Sequence, residues 1–333
     1  MTPTTGKDME LICPAGTPPA LRVAVDAGAH AVYCGFQDET NARNFPGLNF
    51  SRSDMAAAVD YAHQHGTKVF IAINTFPRAG AATLWHRAVD DAAALSVDAV
   101  ILADIGLLAY AAGHYPDLRL HLSVQAAAAN PEAIRFYVDA FGVKRVVLPR
   151  VLSVAEIADI NGAISCETEV FVFGGLCVMA EGRCSLSSYV TGQSPNMHGV
   201  CSPASHVGYH ESKGDLVTRL GNFTINRIPA GQPAAYPTLC KGAFRANNVS
   251  GQIFEDAVSL DASTLIPALC RAGVKALKIE GRQRSRAYTK AVVTQFRAAL
   301  HAMASGVEIP HSVLAQVSEG QSATCGAYLK TWR

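Results

Sequence analysis

The chain has 333 residues, of which 49% are hydrophobic and 17% are charged, and its formal net charge is +1. This length fits two average domains or one (β/α) barrel with an insertion, and the near-neutral charge gives no support to nucleic acid as a partner. Residues 1–10 lack the apolar core of a secretory signal, and the most apolar long stretch, residues 92–113, is interrupted by Asp98 and Asp104. We therefore expect a cytoplasmic protein without an integral membrane segment.

From Glu10 onward, short β-branched runs alternate with alanine-rich segments of helical length, which is typical of βαβ units around a parallel sheet. The predicted strands, in chain order, cover residues 10–14, 31–35, 68–74, 99–104, 118–125, 145–149, 168–173 and 276–280. Predicted helices cover residues 18–27, 52–65, 81–95, 131–141, 153–161 and 285–304. Eight strands are the number that a closed barrel needs, so we predict an α/β fold, a (β/α)8 TIM-type barrel. An open doubly wound sheet would give a similar pattern.

The alternation fails between Cys184 and about Leu260, where Gly, Pro, Ser, Asn and Tyr dominate. A stretch of this length without regular structure is uncommon unless it is functional or cross-linked. We therefore predict an irregular, cysteine-bearing insertion after strand 7. The predicted parts are the first part of the barrel with strands 1 to 7 (residues 9–183), the insertion (184–260), the last strand and helix of the barrel (261–310) and an irregular tail (311–333).

Four of the 9 cysteines, Cys177, Cys184, Cys201 and Cys240, fall within one short part of the chain. An odd cysteine count in a reducing compartment argues against a disulfide framework and leaves metal ligation or buried thiols. The wide gaps between the four, without any Cys-x-x-Cys, disfavour structural zinc. A [4Fe-4S] cluster accepts dispersed ligands because each of its four corners takes one thiolate. On spacing alone, a cluster, a zinc site and inert buried thiols all stay open.

The other cysteines have no partner at ligand spacing. Cys34, Cys166 and Cys270 lie in predicted strands or helices beside apolar residues, and Cys325 lies in the tail. For these four we predict thiols without a metal. Cys13 stays open, because it lies near the carboxyl end of the first strand, where barrel loops carry chemistry.

Polar residues at the carboxyl ends of barrel strands converge on one mouth, so they are the candidates for contact with substrate. They are Asn41, Arg43, Asn44, Asn74, Asp104, Gln125, Arg150, Glu280 and Arg282. Arg43, Arg150 and Arg282 together suit a carboxylate or another anion, since a guanidinium offers paired donors in a fixed plane. Glu280 directly follows an apolar run and needs a partner, for which Arg282 is the nearest candidate. For each residue the alternative is a loop cap or a surface ion pair, and no catalytic residue is assigned.

The residues around the first two cysteines resemble the signature of the collagenase-like peptidase family, whose catalytic type is unassigned. The matching positions are Glu169, Phe171, Gly174, Leu176, Cys177, Gly182, Cys184, Leu186 and Ser187. Gly175 stands where that signature usually has Ser or Ala. From about Met9 to Arg333 the chain is similar to the ubiquinone-biosynthesis branch of the family, in runs such as Leu-Ile-Cys-Pro-Ala-Gly16 and Tyr236-Pro-Thr-Leu-Cys-Lys-Gly242.

This resemblance implies a [4Fe-4S] cluster on Cys177, Cys184, Cys201 and Cys240, the first two on the barrel side and the others in the insertion. It implies a heterodimer with a paralogous cluster-binding subunit, which hydroxylates the ring of a ubiquinone precursor without O2. A lipid-carrier protein is expected to deliver the polyprenylated substrate, and an organic compound such as prephenate is the expected hydroxyl donor.

Three other hypotheses remain beside this one. Other branches of the family modify RNA by hydroxylation, although the near-zero charge and the absence of a basic stripe with interleaved aromatics count against RNA. A scaffold that only recruits its partner and a substrate carrier is the second. A peptidase is disfavoured, because the spacing of His63 and His65 puts them on different faces of a helix and no metalloprotease motif is present.

Overall fold

The first seven strands of the computed structural model are parallel and follow one another in space in chain order. The structure describes residues 9–44, 47–177, 184–195, 201–232, 234–254, 256, 258–310, 312–317 and 322–329. The strands are β1 (Glu10–Pro14), β2 (Ala31–Cys34), β3 (Lys68–Ile73), β4 (Ala99–Leu102), β5 (Leu120–Leu122), β6 (Arg145–Val147) and β7 (Glu167–Gly175). Between them lie α1 (Pro18–Asp26), α2 (Arg52–Gln64), α3 (Thr83–Ala94), α4 (Ile105–His114), α5 (Pro131–Phe141) and α6 (Val154–Ala163).

Polar side chains fix where several of these helices begin. Ser51 and Ser153 each form a capping box with the acidic residue three positions later, at the starts of α2 and α6. Asn130 accepts a backbone N–H at the start of α5. The strands between the helices are apolar throughout because both of their faces are buried, as in β4, where every residue is buried.

The insertion after β7 carries regular structure. It contains α7 (Ser185–Thr191), the strands β8 (Val207–Ser212), β9 (Asp215–Leu220) and β10 (Phe223–Pro229) of an antiparallel sheet, the hairpin of β11 (Ala243–Ala246) and β12 (Val249–Gln252), and β13 (Val258–Asp261). The prediction of an irregular insertion is therefore wrong. These strands are short and half exposed, so they lack long apolar runs, and tight turns such as Asn247-Asn248, with φ of 48° and 64°, join them.

The last barrel strand closes the sheet. This strand, β14 (Ala276–Ile279), pairs in parallel with both β1 and β7 and is flanked by α8 (Ile266–Arg271) and α9 (Arg286–Ala304). The predicted (β/α)8 barrel is confirmed. The tail contributes β15 (Ser322–Thr324), which pairs with β13, so the prediction of an irregular tail is corrected for this segment. Among the described helices, none has the length and apolar character to cross a membrane.

Side chains fill the barrel interior, which is apolar in its middle and charged at its amino-terminal end. Apolar side chains, among them Ile12, Phe70 and Ile101, form its middle layer. Charged side chains fill its amino-terminal end, where Arg145 is only 2% exposed and donates to Glu10 at 2.5 Å. The interior is thus a packed core, and any site that takes a ligand must lie at an end of the barrel.

Candidate functional site

Glu280 directly follows β14 and lies at the carboxyl end of the barrel, where it binds two arginines. Arg150, after β6, donates from Nη2 to Oε2 at 2.9 Å, and Arg43, after β2, donates from Nη2 to Oε1 at 3.4 Å. Burial alone would raise the pKa of Glu280, but Arg150, Arg43 and Arg284 hold it below its ordinary value. Glu280 is therefore a carboxylate at neutral pH, and 25% of its side chain is exposed.

Arg282 has a different partner from the one that the sequence predicted. Its Nη1 donates to Asn41 Oδ1 at 2.6 Å, and its guanidinium lies 5.6 Å from the centroid of the Tyr33 ring. The prediction that it pairs with Glu280 is wrong, because the chain turns sharply at Gly281, whose φ is 144°, and the two neighbouring side chains take separate partners. Burial lowers the pKa of Arg282 to about 10, so its guanidinium remains charged at neutral pH.

The remaining mouth candidates have mostly local roles. Asn74 accepts a backbone N–H of the loop after β2 at 3.1 Å, Asp104 accepts one at 2.9 Å as the cap of α4, and Asn44 donates its own N–H to a carbonyl at 3.2 Å. These three support loops and helices. Gln125 differs, because its side chain is buried and its Oε1 has no hydrogen-bond partner within the described part of the chain.

Two glycines allow the loops of the mouth to approach one another closely. A Cβ on Gly16 would lie 1.8 Å from the carbonyl oxygen of Arg282, and one on Gly35 would lie 2.4 Å from the side-chain nitrogen of Asn41. Any side chain at either position would displace the pair of Asn41 and Arg282. The geometry of the mouth therefore depends on these absent side chains as well as on its ion pairs.

The cysteines of the insertion converge. None of the four candidate ligands is in a disulfide, and each is partly exposed. The pKa of the Cys240 thiol is raised to about 11, first by burial and then by the charges of Cys201 and Cys184. Cys201 likewise has a raised pKa, through burial first and through Cys184 among the nearby charges. Cys184, Cys201 and Cys240 thus lie within electrostatic range of one another, while Cys177 follows the end of β7.

Cys184 is the first residue of the insertion, as its predicted bounds of 184–260 have it. It is the N-cap of α7, whose Leu186 and Val190 pack against the small apolar core of the insertion. Its Sγ accepts the backbone N–H of Ser187 at 3.4 Å. N–H groups directed at a sulfur stabilise the thiolate form that a metal cluster needs, so this contact fits a cluster ligand.

The arrangement suits a cluster better than a single ion. Among the described residues, no three His, Cys, Asp or Glu side chains come close enough to hold one metal ion. A [4Fe-4S] cube takes its four thiolates on four separate corners, so its ligands lie farther apart than those of one zinc ion. The thiol donors present fit the cube.

The cysteine site lies beside the barrel mouth. Arg43 and Glu280 are both among the charges that act on the Cys201 thiol, the first lowering its pKa and the second raising it, after the larger effect of burial. Lys241, the neighbour of Cys240, donates from Nζ to the carbonyl oxygen of Val258 at 2.6 Å. The insertion is thereby attached to the start of β13 and, through it, to β7.

Four of the other cysteines are buried and therefore unreactive. Cys13, Cys34, Cys166 and Cys270 are buried, and burial raises the pKa of Cys34 to about 12. Cys13 is fully buried, and burial raises the pKa of its thiol far above the ordinary value. A neutral thiol without solvent access is a poor nucleophile, which answers the question that the sequence left open.

Sequence reasoning missed two residues, Tyr288 at the mouth and Lys278 in the barrel interior. Tyr288 donates its hydroxyl to the backbone oxygen of Glu280 at 2.9 Å. Lys278 is buried in β14, with Nζ 3.8 Å from the centroid of the Tyr33 ring and 2.5 Å from Glu169 Oε1. A lone lysine in an otherwise apolar strand was a usable signal, because a buried ammonium requires a carboxylate partner. Tyr288 gave no such signal, since a tyrosine on a helix commonly packs as an apolar ring.

Comparison with known proteins gives a family and named relatives. The family described as "Peptidase family U32" matches residues 16–326. "tRNA hydroxylation protein P" of Escherichia coli is 32% identical over 327 residues, which span 92% of this chain and 70% of that protein. "23S rRNA 5-hydroxycytidine C2501 synthase" of Escherichia coli is 30% identical over 298 residues, 89% of this chain and 40% of that protein. "Collagenase" of Porphyromonas gingivalis is 26% identical over 310 residues, 90% of this chain and 67% of that protein.

Proposed function

The chain belongs to peptidase family U32, and we propose that it is a subunit of an O2-independent hydroxylase with a [4Fe-4S] cluster on Cys177, Cys184, Cys201 and Cys240. The observation that carries this proposal is the convergence of three of these thiols beside the ion pairs of the barrel mouth. Relatives named for hydroxylation support the reaction class. When bound, such a cluster supplies single electrons.

Peptidase chemistry has little support in the described residues. The hydrogen bonds there include one between a serine and a histidine, Ser205 Oγ to His206 Nδ1 at 3.0 Å, and both residues are sequence neighbours in an exposed turn. A nucleophile needs a base that a third group orients, and no carboxylate is hydrogen-bonded to His206 in that set. The name of one relative, "Collagenase", therefore gives no mechanism for this chain.

The substrate is the ring of a ubiquinone precursor. This part of the proposal rests on the similarity of the chain to UbiU over almost its whole length, including the run from Tyr236 to Gly242 that contains Cys240. UbiU acts as a heterodimer with its paralogue UbiV, so the proposed assembly is the same. A lipid-carrier protein would present the polyprenylated ring to it.

The hydroxyl donor is an organic anion such as prephenate. At the mouth, Arg150, Arg43 and Arg284 act on the carboxylate of Glu280 and Arg282 adds a further guanidinium, so positive charge exceeds negative charge among these five residues. Guanidinium groups bind carboxylates through paired hydrogen bonds. The residues of this chain would bind and orient the donor, and the packed barrel below them would exclude water from one side.

RNA hydroxylation is the second candidate, and the names of the relatives favour it. The formal net charge of +1 gives no general attraction to RNA. The two candidates share the cluster and differ in substrate, so they are separated by the product that is lost when the gene is deleted.

Cluster content tests the cofactor. We expect anaerobically purified protein to contain iron and acid-labile sulfide, and Cys201→Ser to lose most of both. Cys325→Ser is the matched control, because Cys325 is also a partly exposed free thiol but lies in the tail, 3.8 Å from the backbone oxygen of Asp261. Wild-type protein without iron and sulfide, or equal loss in the two variants, would contradict the assignment.

Growth with and without O2 tests the substrate. A deletion strain should lose ubiquinone only under anoxia, and the wild-type gene should restore it whereas Cys201→Ser should not. Mass spectrometry of tRNA and rRNA nucleosides from the same cultures tests the second candidate. Normal ubiquinone together with a missing hydroxylated nucleoside would replace the first candidate by the second.

A further inference from the structure

Glu280 lies where the barrel mouth meets the segment that leads to the first cysteine. A Cβ on Gly175 would lie 3.3 Å from Glu280 Oε2, so the carboxylate packs against the end of β7, two residues before Cys177. The same oxygen accepts from Arg150 at 2.9 Å. The carboxylate therefore contacts Arg150 of the mouth and, on its other side, the end of β7 that leads to Cys177.

A second cysteine is attached to the same point. Ser259 of β13 pairs with Gly175, and Lys241, beside Cys240, donates to the carbonyl oxygen of Val258, one residue earlier. The turn that carries Cys240 is thus linked to Glu280 through three contacts, Lys241 with Val258, Ser259 with Gly175, and Gly175 with Glu280.

Arg43 is the second arginine that Glu280 holds at this junction. It donates from Nη2 to Glu280 Oε1 at 3.4 Å. Its side chain is 33% exposed, so a ligand in the mouth can reach it. Charges at partly buried sites act on one another over several ångströms because solvent screens them weakly.

We propose that Glu280 is a positioning residue that couples the barrel mouth to the cysteine site, by holding Arg43 and Arg150 between an anion bound in the mouth and the cluster. This inference rests on the proposed function, since it requires the cluster. In this arrangement, the charge at the junction sets the reduction potential of the cluster. An anion bound in the mouth lowers that potential. By linkage, reduction of the cluster weakens anion binding by the same factor.

The signs of the effects follow from electrostatics. Reduction adds an electron, so a nearby negative charge opposes it and a nearby positive charge favours it. Glu280→Gln removes a negative charge and should raise the midpoint potential, whereas Arg43→Gln removes a positive charge and should lower it. Each change should alter the ratio of reduced to oxidised cluster at a fixed potential by about threefold or more, as expected for a unit charge at a partly buried site.

The experiment is a redox titration of the anaerobically purified proteins, with iron and sulfide content measured on the same samples. The matched control is the pair Arg78→Gln and Glu39→Gln, an exposed Arg–Glu ion pair that is 2.5 Å long. We expect neither control to move the potential. Malonate, a simple dicarboxylate, is the probe for the mouth and should lower the potential of the wild type, with a smaller effect in Arg43→Gln.

The outcomes separate the two proposals. Opposite shifts in Glu280→Gln and Arg43→Gln, with full cluster content, would support the coupling. Shifts of the same sign, or unchanged potentials with full cluster content, would overturn the coupling and leave the proposed function standing. Loss of iron in both variants would mean that the two side chains only hold the cysteine loops in place. A wild type without a cluster would overturn both proposals.

Discussion

The two ends of the barrel both contain charged side chains, but they arrange them differently. At the amino-terminal end, Arg145 binds Glu10, Glu167 and Glu169 at once while its own side chain is only 2% exposed. Lys278 binds Glu169 from the other side. Acidic and basic groups are nearly balanced there, and the charges hold the strands together.

At the mouth, positive charge exceeds negative charge. Two guanidiniums share the carboxylate of Glu280, which is 25% exposed, and Arg284 and Arg282 bring two further guanidiniums to this end. Burying unbalanced charge is unfavourable, so such an arrangement persists where it serves a ligand. The comparison separates a structural ion network from a binding site by two properties, charge balance and exposure.

The largest expected effect is at the amino-terminal end. Arg145→Gln would leave the buried Glu169 and the partly buried Glu10 and Glu167 without their shared cation. We expect the free energy of unfolding to fall by about 3–5 kcal/mol, as when one partner of a buried ion pair is removed. Chemical denaturation of the purified protein measures this value.

Arg119→Gln is the control for this prediction. Arg119 also binds Glu167, at 2.7 Å, but its side chain is 38% exposed. Its replacement should change the free energy of unfolding by less than about 1 kcal/mol, as for exposed ion pairs. Equal effects of the two variants would mean that burial does not distinguish the network from surface pairs.

Acid should weaken the same end of the barrel. Burial would raise the pKa of Glu10, but Arg145 and Lys68 lower it to about 2, so its stabilising contribution is present above pH 4.5 and is lost as the pH falls toward 2. Burial and Arg297 lower the pKa of His30 to about 4, because the folded state favours its neutral form, whose Nδ1 accepts from the N–H of Leu11 at 2.8 Å. The unfolded state therefore binds more protons between pH 6.5 and 4.

Both groups change stability in the same direction, so the free energy of unfolding should fall steadily from pH 6.5 down to pH 2. For Glu10 alone the loss is about 3 kcal/mol, since a tenfold change in proton affinity corresponds to about 1.4 kcal/mol. Glu10→Gln should flatten the lower part of this profile, and His30→Gln the upper part. A profile of the wild type that is flat between pH 6.5 and 4 would contradict the role of His30.

The difference between the two ends was only partly visible in the sequence. Periodicity predicted the barrel, because its strands are apolar on both faces, and the barrel in turn placed Arg43, Arg150 and Glu280 at one mouth. The partners of these residues were not predictable. Gly281 sends Glu280 and Arg282 in different directions, and a single glycine in a sequence does not reveal its φ.

The structure of the insertion was harder to predict from the sequence, for a different reason. Its strands bury residues such as Val217 and Leu220 in a small sheet and expose the rest, so their pattern resembles that of a loop. Similarity to a family predicts that the four cysteines form one ligand set, whereas spacing alone left three possibilities open. The position of Cys184 at the start of α7 depends on a helix of seven residues, which is too short to give a clear helical period.

The smallest expected effect on stability is at the mouth, where Arg43→Gln makes the same chemical change as Arg145→Gln. Arg43 is 33% exposed and binds one carboxylate at 3.4 Å, and that carboxylate keeps Arg150 at 2.9 Å after the substitution. We therefore expect the free energy of unfolding to change by less than about 1 kcal/mol, measured by denaturation beside the Arg145 variant. Binding of malonate, measured by calorimetry, should weaken several-fold because a charge-assisted hydrogen-bond donor is lost. If Arg43→Gln unfolded as readily as Arg145→Gln and bound malonate like the wild type, the mouth would be a second structural network, and charge imbalance would not mark a binding site in this barrel.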